Sequence, residues 1–165
     1  MSVKTMDDLF VETLKDTYYA EKQILKALPA MSKKASHSEL KHAFDNHLKE
    51  TEKQVQRLEE VFNSLDVAVR GKKCEAMEGI LAEAKHHLDD IEDKKILDAG
   101  IISSAQSVEH YEICRYGTLV EWAKNLGHAD AARLLEETLQ EEKKADEMLT
   151  AIARSVVNKD AEQAA

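Results

Sequence analysis

The sequence predicts an all-α protein built on four long helices, and three observations support this class. The 165 residues include one proline and five glycines, and 33% of the residues are charged. Four stretches carry apolar residues at three- and four-residue spacing, whereas the alternating pattern of β-strands is nearly absent. Because a chain of this length corresponds to about one domain, we expect residues 1–165 to form a single bundle with its own core.

The first predicted helix covers about Lys4 to Ala35, and the second begins near Ser38, which we take as its N-cap. Each helix has an apolar stripe along one face. The first stripe carries Phe10, Leu14, Thr17, Glu21, Ile24, Leu28 and Met31. The second stripe carries Leu40, Phe44, His47, Thr51, Gln54, Leu58, Val61 and Leu65.

The third predicted helix runs from about Lys94 to Leu126, and Gly127 follows it as a natural C-terminal cap. The fourth helix covers about Ala129 to Asn158. Its stripe carries Leu135, Leu139, Glu142, Asp146, Leu149 and Val156.

The lengths of the connections predict the topology. Short links between the first and second helices, and between the third and fourth, favour two antiparallel hairpins. Residues Asp66 to Asp93 must travel further, and the segment CEAMEGILAEAKHHL within them predicts a short fifth helix. Two hairpins joined by one long crossover form a ferritin-like four-helix bundle. A simple up-down bundle is the alternative, but it would not need this crossover.

Polar residues interrupt each predicted stripe near the middle of its helix. They lie about 13 to 19 residues from the nearest hairpin turn, near Ser36–His37 or Gly127–His128, so they share one height in the bundle. The two halves also repeat each other weakly, since Glu21 aligns with Glu112. We therefore predict that one layer contains Glu21, Glu50, Gln54, Glu109, Glu112, Glu142 and Asp146.

Six carboxylates in one buried layer require counter-charges, because each unpaired buried ion costs several kcal/mol. Arg115 could neutralise only one of them. Two divalent cations would balance four negative charges, and oxygen ligands from facing helices suit Mn or Fe. The alternative is a hydrated or half-exposed polar layer without metal.

Several other residues resemble ligands but are better explained without metal. Glu39-x-x-His42 and Glu83-x-x-His86 match the Glu-x-x-His spacing of di-iron helices, yet both lie off the polar layer. His47 lies on its stripe about two turns from Gln54, and we expect it to support ligands or to satisfy polar groups of the core rather than to bind metal directly. The three tyrosines near the layer could hydrogen-bond to ligands; they are Tyr18, Tyr111 and Tyr116.

The charge balance and the cysteines indicate where the protein acts. Acidic residues outnumber basic ones by 32 to 23, and the net charge of −9 disfavours nucleic acid and anionic membranes as partners. The N-terminal MSVKTMDDLF lacks the apolar core of a signal peptide. Cys74 and Cys114 fit no metal-knuckle spacing and are expected to be free thiols in the cytoplasm.

Four segments together resemble the YciE/YciF family of bacterial stress-associated proteins. They are YYAEKQILKALPAM, HLKETEKQVQRLEEVF, EHYEICRYGTLVEWAKNLG and LLEETLQEEKKADEMLTAIA. The resemblance implies a ferritin-like bundle, a homodimer and a dinuclear site formed by the residues of the polar layer. Helices two and four carry Glu-x-x-x-Gln and Glu-x-x-x-Asp instead of Glu-x-x-His, which makes the site harder and more anionic.

Two classes of function follow from these residues. The first is a stress-defence redox enzyme whose two metal ions act on peroxide, or oxidise Fe(II) with peroxide or dioxygen. The second is a non-catalytic stress protein that binds metal for structure, or none, and acts through a protein partner.

Overall fold

The computed structural model describes residues 3–164, which form helices joined by short turns and one long connection. The helices are α1 (Met6–Lys34), α2 (Ser38–Ser64), α3 (Glu75–Asp89), α4 (Lys94–Asn125) and α5 (Ala129–Ile152), followed by a π-helical turn (Ala153–Val157) and α6 (Asn158–Glu162). Residues 3–164 contain no β-strand, and none of their helices has the apolar length that a membrane span requires. The predicted all-α class is confirmed.

The helices pack as two antiparallel hairpins, α1 with α2 and α4 with α5. Contacts between the hairpins show that α1 runs antiparallel to α4, since Ser36 meets Asp98 while Glu21 meets Tyr116. The predicted fifth helix is α3, and it lies within the crossover between the hairpins. The ferritin-like arrangement is therefore present as predicted.

Two of the helix ends follow directly from the sequence. At the start of α1, Thr5 and Asp8 form a capping box: the Asp8 backbone N–H donates to Thr5 Oγ1, and the Thr5 N–H donates to Asp8 Oδ2, each at 3.0 Å. After α4, Gly127 adopts a φ of +79°, which a residue with a Cβ rarely adopts. His128 and Gly127 then donate to the carbonyls of Ala123 and Lys124, as in a Schellman motif.

The start of α2 differs from the prediction. His37, not Ser38, occupies the N-cap position, and its side chain makes no capping hydrogen bond. The acceptor comes instead from α4. Asp98 accepts from the Ser36 N–H at 2.7 Å, the Ser36 hydroxyl at 2.6 Å and the His37 N–H at 2.9 Å. A carboxylate is a stronger acceptor than a serine hydroxyl. We call Ser36, His37 and Asp98 the Asp98 clamp.

The fourth long helix also departs from the predicted regular pattern. α5 ends at Ile152, and the π-helical turn follows before α6 resumes. A π-helical turn holds more residues than an α-helical one, so it shifts the buried face along the chain. Val157 is therefore buried, whereas Val156, which the stripe predicted, is only partly covered.

The apolar core is divided into two parts along the bundle. One part includes Ile24, Phe44 and Leu149, and the other includes Leu14 and Leu135. Buried polar side chains occupy the space between the two parts. This division places the predicted polar layer near the middle of the helices.

Candidate metal centre

Four buried side chains from three helices meet in the polar layer. His47 of α2, Glu109 and Glu112 of α4, and Glu142 of α5 each offer one ligand atom, and these atoms all lie within 4.8 Å of one another. His47 Nε2 is 3.4 Å from Glu109 Oε1 and 3.8 Å from Glu142 Oε2. Such a group could hold a metal ion.

Glu21 brings the remaining long helix, α1, into the same layer. Its side chain is fully buried, and its Oε1 accepts a hydrogen bond from the hydroxyl of Tyr116. Its other oxygen has no hydrogen-bond partner. Tyr116 packs in the part of the core that includes Leu14 and Leu135. Its hydrogen bond to Glu21 therefore connects the layer to that part of the core.

The layer contains an unusual concentration of unpaired polar atoms. Among the described residues, ten buried side-chain nitrogen and oxygen atoms have no hydrogen-bond partner. All except His37 Nδ1 belong to Glu21, His47, Gln54, Glu109, Glu112 and Glu142. Because buried polar groups in proteins are nearly always paired, these side chains have the properties of ligands that need a bound ion or protons.

Burial makes these carboxyl groups hard to ionise in the absence of a cation. It raises the pKa of Glu21 to about 8, with the charge of Glu142 adding to the effect. Burial likewise raises the pKa of Glu109 to about 7. The pKa values of Glu112 and Glu142 lie well above the ordinary value, again mainly through burial.

His47 is the basic side chain closest to these acids. Burial opposes its protonation, but the nearby carboxylates of Glu50, Glu142 and Glu21 outweigh burial and raise the pKa of His47. One imidazolium can balance only one carboxylate, so most of the layer must bind protons or metal.

The seven predicted ligands do not occupy equivalent positions. Glu21, Glu109, Glu112 and Glu142 lie in the buried layer. Gln54 is also buried, and its amide nitrogen donates to Glu141 Oε2 at 3.1 Å. Glu50 is 38% exposed with its Oε2 3.7 Å from His47 Nδ1. Asp146 is 20% exposed, and its Oδ1 accepts from Gln106 of α4 at 2.9 Å.

Two cationic side chains near the layer bind groups other than its buried acids. Arg115, which could have neutralised one acid by its position on the helix, places its guanidinium 5.2 Å from the centre of the Tyr111 ring and makes no ion pair among residues 3–164. Arg57, which the sequence analysis did not single out, binds both oxygens of Glu141 at 2.6 and 2.7 Å. This pair anchors α2 to α5 beside Gln54.

The position of His47 is closer to the acids than the sequence suggested. Its backbone lies about two turns from Gln54 along the helix, but this distance does not include the reach of the side chain. The sequence did contain a signal for this position, since His47 lies on the inward stripe three residues before Glu50. The residues of Glu39-x-x-His42 and Glu83-x-x-His86 are exposed, in agreement with their interpretation as surface groups.

Of the three tyrosines considered, Tyr116 is the one that hydrogen-bonds to a residue of the layer. Tyr18 donates to Glu59 at 2.8 Å, and the Tyr111 hydroxyl lies 2.9 Å from Cys74 Sγ. Cys74 is buried and Cys114 is exposed, and both are free thiols.

Residues 5–162 match the family described as a domain of unknown function (DUF892). The chain is 45% identical to protein YciF of Escherichia coli (strain K12) over 166 aligned residues, which cover all of both chains. The chain belongs to this family, and the resemblance inferred from its sequence is confirmed.

Solved structures show the same fold. The E. coli stress protein YciF superposes with a TM-score of 0.90 at 44% identity, covering 95% of this chain and 99% of that one. A structure from Rhodopseudomonas palustris, described as "YcfI, a putative structural protein", superposes with a TM-score of 0.89 at 47% identity. That match covers 90% of this chain and 95% of YcfI.

Proposed function

We propose that this protein is a stress-associated di-metal protein whose buried layer holds two Mn or Fe ions and supports redox chemistry. The substrate would be peroxide, or Fe(II) together with dioxygen. The observation that carries the proposal is the set of unpaired buried atoms on Glu21, His47, Glu109, Glu112 and Glu142.

The donor set fits such ions in charge and in chemistry. Two divalent cations would balance the four carboxylates of Glu21, Glu109, Glu112 and Glu142. Carboxylate oxygens with one imidazole nitrogen suit Mn and Fe better than a soft, thiol-binding metal. When bound, such ions supply reversible electron transfer and Lewis acidity.

The protein's own residues would position the ligands and move protons. Tyr116 holds one oxygen of Glu21, so that the other remains directed at the layer. Glu50 is partly exposed and lies beside His47, so it can exchange a proton between the layer and solvent.

A second candidate is a non-catalytic helical protein whose acidic layer is neutralised by protons. The raised pKa values favour this candidate, because at neutral pH Glu21, with a pKa of about 8, is mostly protonated and Glu109, with a pKa of about 7, is about half protonated. The description of YcfI as a structural protein points to the same class.

Metal content separates the two candidates. The protein is purified without added metal, examined by elemental analysis and titrated anaerobically with Fe(II) and Mn(II). About two equivalents per chain support the di-metal site, since two ions balance four carboxylates. If the protein neither contains nor binds these metals, the redox proposal is wrong and the protonated layer remains.

A further inference from the structure

We propose that the cleft between α2 and α5 binds a small organic anion with an apolar body, such as a short-chain carboxylate, and presents it to the buried layer. The cleft has a volume of about 300 Å³. His47 and Glu109 line it, and both carry buried atoms without a hydrogen-bond partner. It therefore connects the surface to the candidate metal centre.

One end of the cleft is positively charged. Its lining includes Lys49, Lys53 and Lys144, none of which lies within 4.0 Å of a carboxylate oxygen among residues 3–164. Of the two acids at the same end, Glu141 binds Arg57, and Glu50 lies beside His47 and is also attracted by Lys53 and Lys144. Three lysines against one remaining acid leave this end with a net positive charge. On a protein with a net charge of −9, three such lysines form a local site for an anion.

The other end of the cleft is apolar. It is lined by Ala43, Phe44, Ala145, Met148 and Leu149, which lie toward the start of α2 and the end of α5. Met148 is 38% exposed although it is a large apolar side chain. An apolar group bound here would be removed from water at a gain of about 25 cal/mol per Å².

The order of these residues along the helices sets the orientation of the ligand. Phe44 and Lys53 lie nine positions apart on α2, or about 13 Å at 1.5 Å per residue, with His47 between them. A ligand with its carboxylate at the lysines and its apolar body at Phe44 would therefore pass over His47 and Glu109.

The volume limits the ligand to a small molecule. A water molecule occupies about 30 Å³ in the liquid, so about 300 Å³ accommodates roughly ten non-hydrogen atoms. A six-carbon carboxylate fits this space, whereas hydrogen peroxide would fill only a small part of it. The cleft therefore suits a small organic ligand held beside the proposed metal centre, and this link to the centre rests on the proposed function.

Hexanoate is the first probe, with hexan-1-ol and acetate as matched comparisons. Hexan-1-ol keeps the apolar chain but lacks the charge, and acetate keeps the charge but lacks the chain. Binding to the full-length protein is measured by calorimetry and by amide chemical shifts, both as purified and after treatment with a chelator. We expect hexanoate to bind about tenfold more tightly than either comparison, and to shift the amides of residues 43–53 and 141–149.

The variants Lys144→Glu and Lys143→Glu provide a matched pair. Both residues are exposed on α5 and undergo the same change in charge, but only Lys144 lines the cleft. We expect Lys144→Glu to weaken hexanoate binding about tenfold, with Lys143→Glu within twofold of the parent protein. Equal effects of the two variants would show nonspecific attraction and overturn the proposal.

A second pair tests the apolar end. Ala145→Phe should fill the cleft and abolish hexanoate binding, whereas Ala151→Phe, on an exposed position of the same helix, should not.

If hexanoate binds as expected but the protein takes up no metal, the anion site stands and the redox proposal fails. If metal binds while hexanoate and hexan-1-ol bind equally, the anion site is wrong and the metal centre stands.

Discussion

Asp98 and Glu112 are both buried acids on α4, yet their surroundings differ completely. Asp98 is 3% exposed and accepts three hydrogen bonds from Ser36 and His37. Glu112 is 1% exposed, and neither of its oxygens has a hydrogen-bond partner. The comparison shows that burial of an acid does not by itself indicate a metal site. The distinguishing feature is whether the fold already satisfies its oxygens.

The largest effect should come from removing Glu112 in the metal-loaded protein. Under the redox proposal, Glu112→Ala removes a ligand, and peroxide turnover should fall by at least about 100-fold, since even groups that only support ligands contribute 10–100-fold. Elemental analysis should show a parallel loss of metal. Glu121→Ala, an exposed position on the same helix, is the control. Full turnover in Glu112→Ala would place the chemistry elsewhere.

Substitution of Asp98 should change the stability of the fold and leave the metal content unchanged. Asp98→Ala leaves the donors of Ser36 and His37 without their acceptor, and we expect the free energy of unfolding to fall by about 2–3 kcal/mol. Urea denaturation measures this change. Asp98→Asn retains a carbonyl acceptor and should recover part of the loss. Metal stoichiometry should remain unchanged in both variants, and its loss would contradict the assignment of Asp98 to structure alone.

The pH dependence of the metal-free protein should report on the buried acids of the layer. Because the pKa of Glu21 rises from 4.5 to about 8 on folding, the folded state binds more protons than the unfolded state between these values. Stability should therefore be highest near the ordinary pKa and should fall as pH rises toward about 8. We expect a decrease of at least about 1 kcal/mol, measured by urea denaturation across this window.

A variant and an added metal ion test whether the buried acids cause this pH dependence of stability. Glu112→Gln should flatten the fall, because one of the acids with a raised pKa is removed. Added Mn(II) should reverse it, because metal binding requires deprotonated ligands and strengthens as pH rises. A metal-free protein that becomes more stable as pH rises across the window would show that the layer is not protonated at low pH.

The smallest effect should come from the surface residues that share the Glu-x-x-His spacing. His42 is exposed, so His42→Ala should change the free energy of unfolding by less than about 0.5 kcal/mol. Metal stoichiometry should also be unchanged. Loss of metal in this variant would mean that spacing along the helix, rather than burial, identifies the ligands.

The sequence predicted the helices, the crossover and the height of the polar layer, because periodicity and distance from a turn determine backbone position directly. It predicted Glu21 and Glu112 inside the layer for the same reason. It did not predict Arg57 with Glu141 or Ser36 with Asp98, since these contacts depend on side chains that meet across helices. It placed Val156 on the inward stripe but did not predict that Val157 is the more deeply buried of the two, because a π-helical turn leaves no clear periodic signal.

The Asp98 clamp has a consequence for how this architecture can vary. It joins residues 62 positions apart and ties the turn of the first hairpin directly to the first helix of the second. Together with the Arg57–Glu141 pair between α2 and α5, this contact holds the relative height of the two hairpins without help from the length of the crossover. Loop-closure entropy changes slowly with loop length, by about 0.6 kcal/mol per doubling. Insertions near the exposed Val69 and Arg70 could accumulate during evolution while the acids of the layer remain in register.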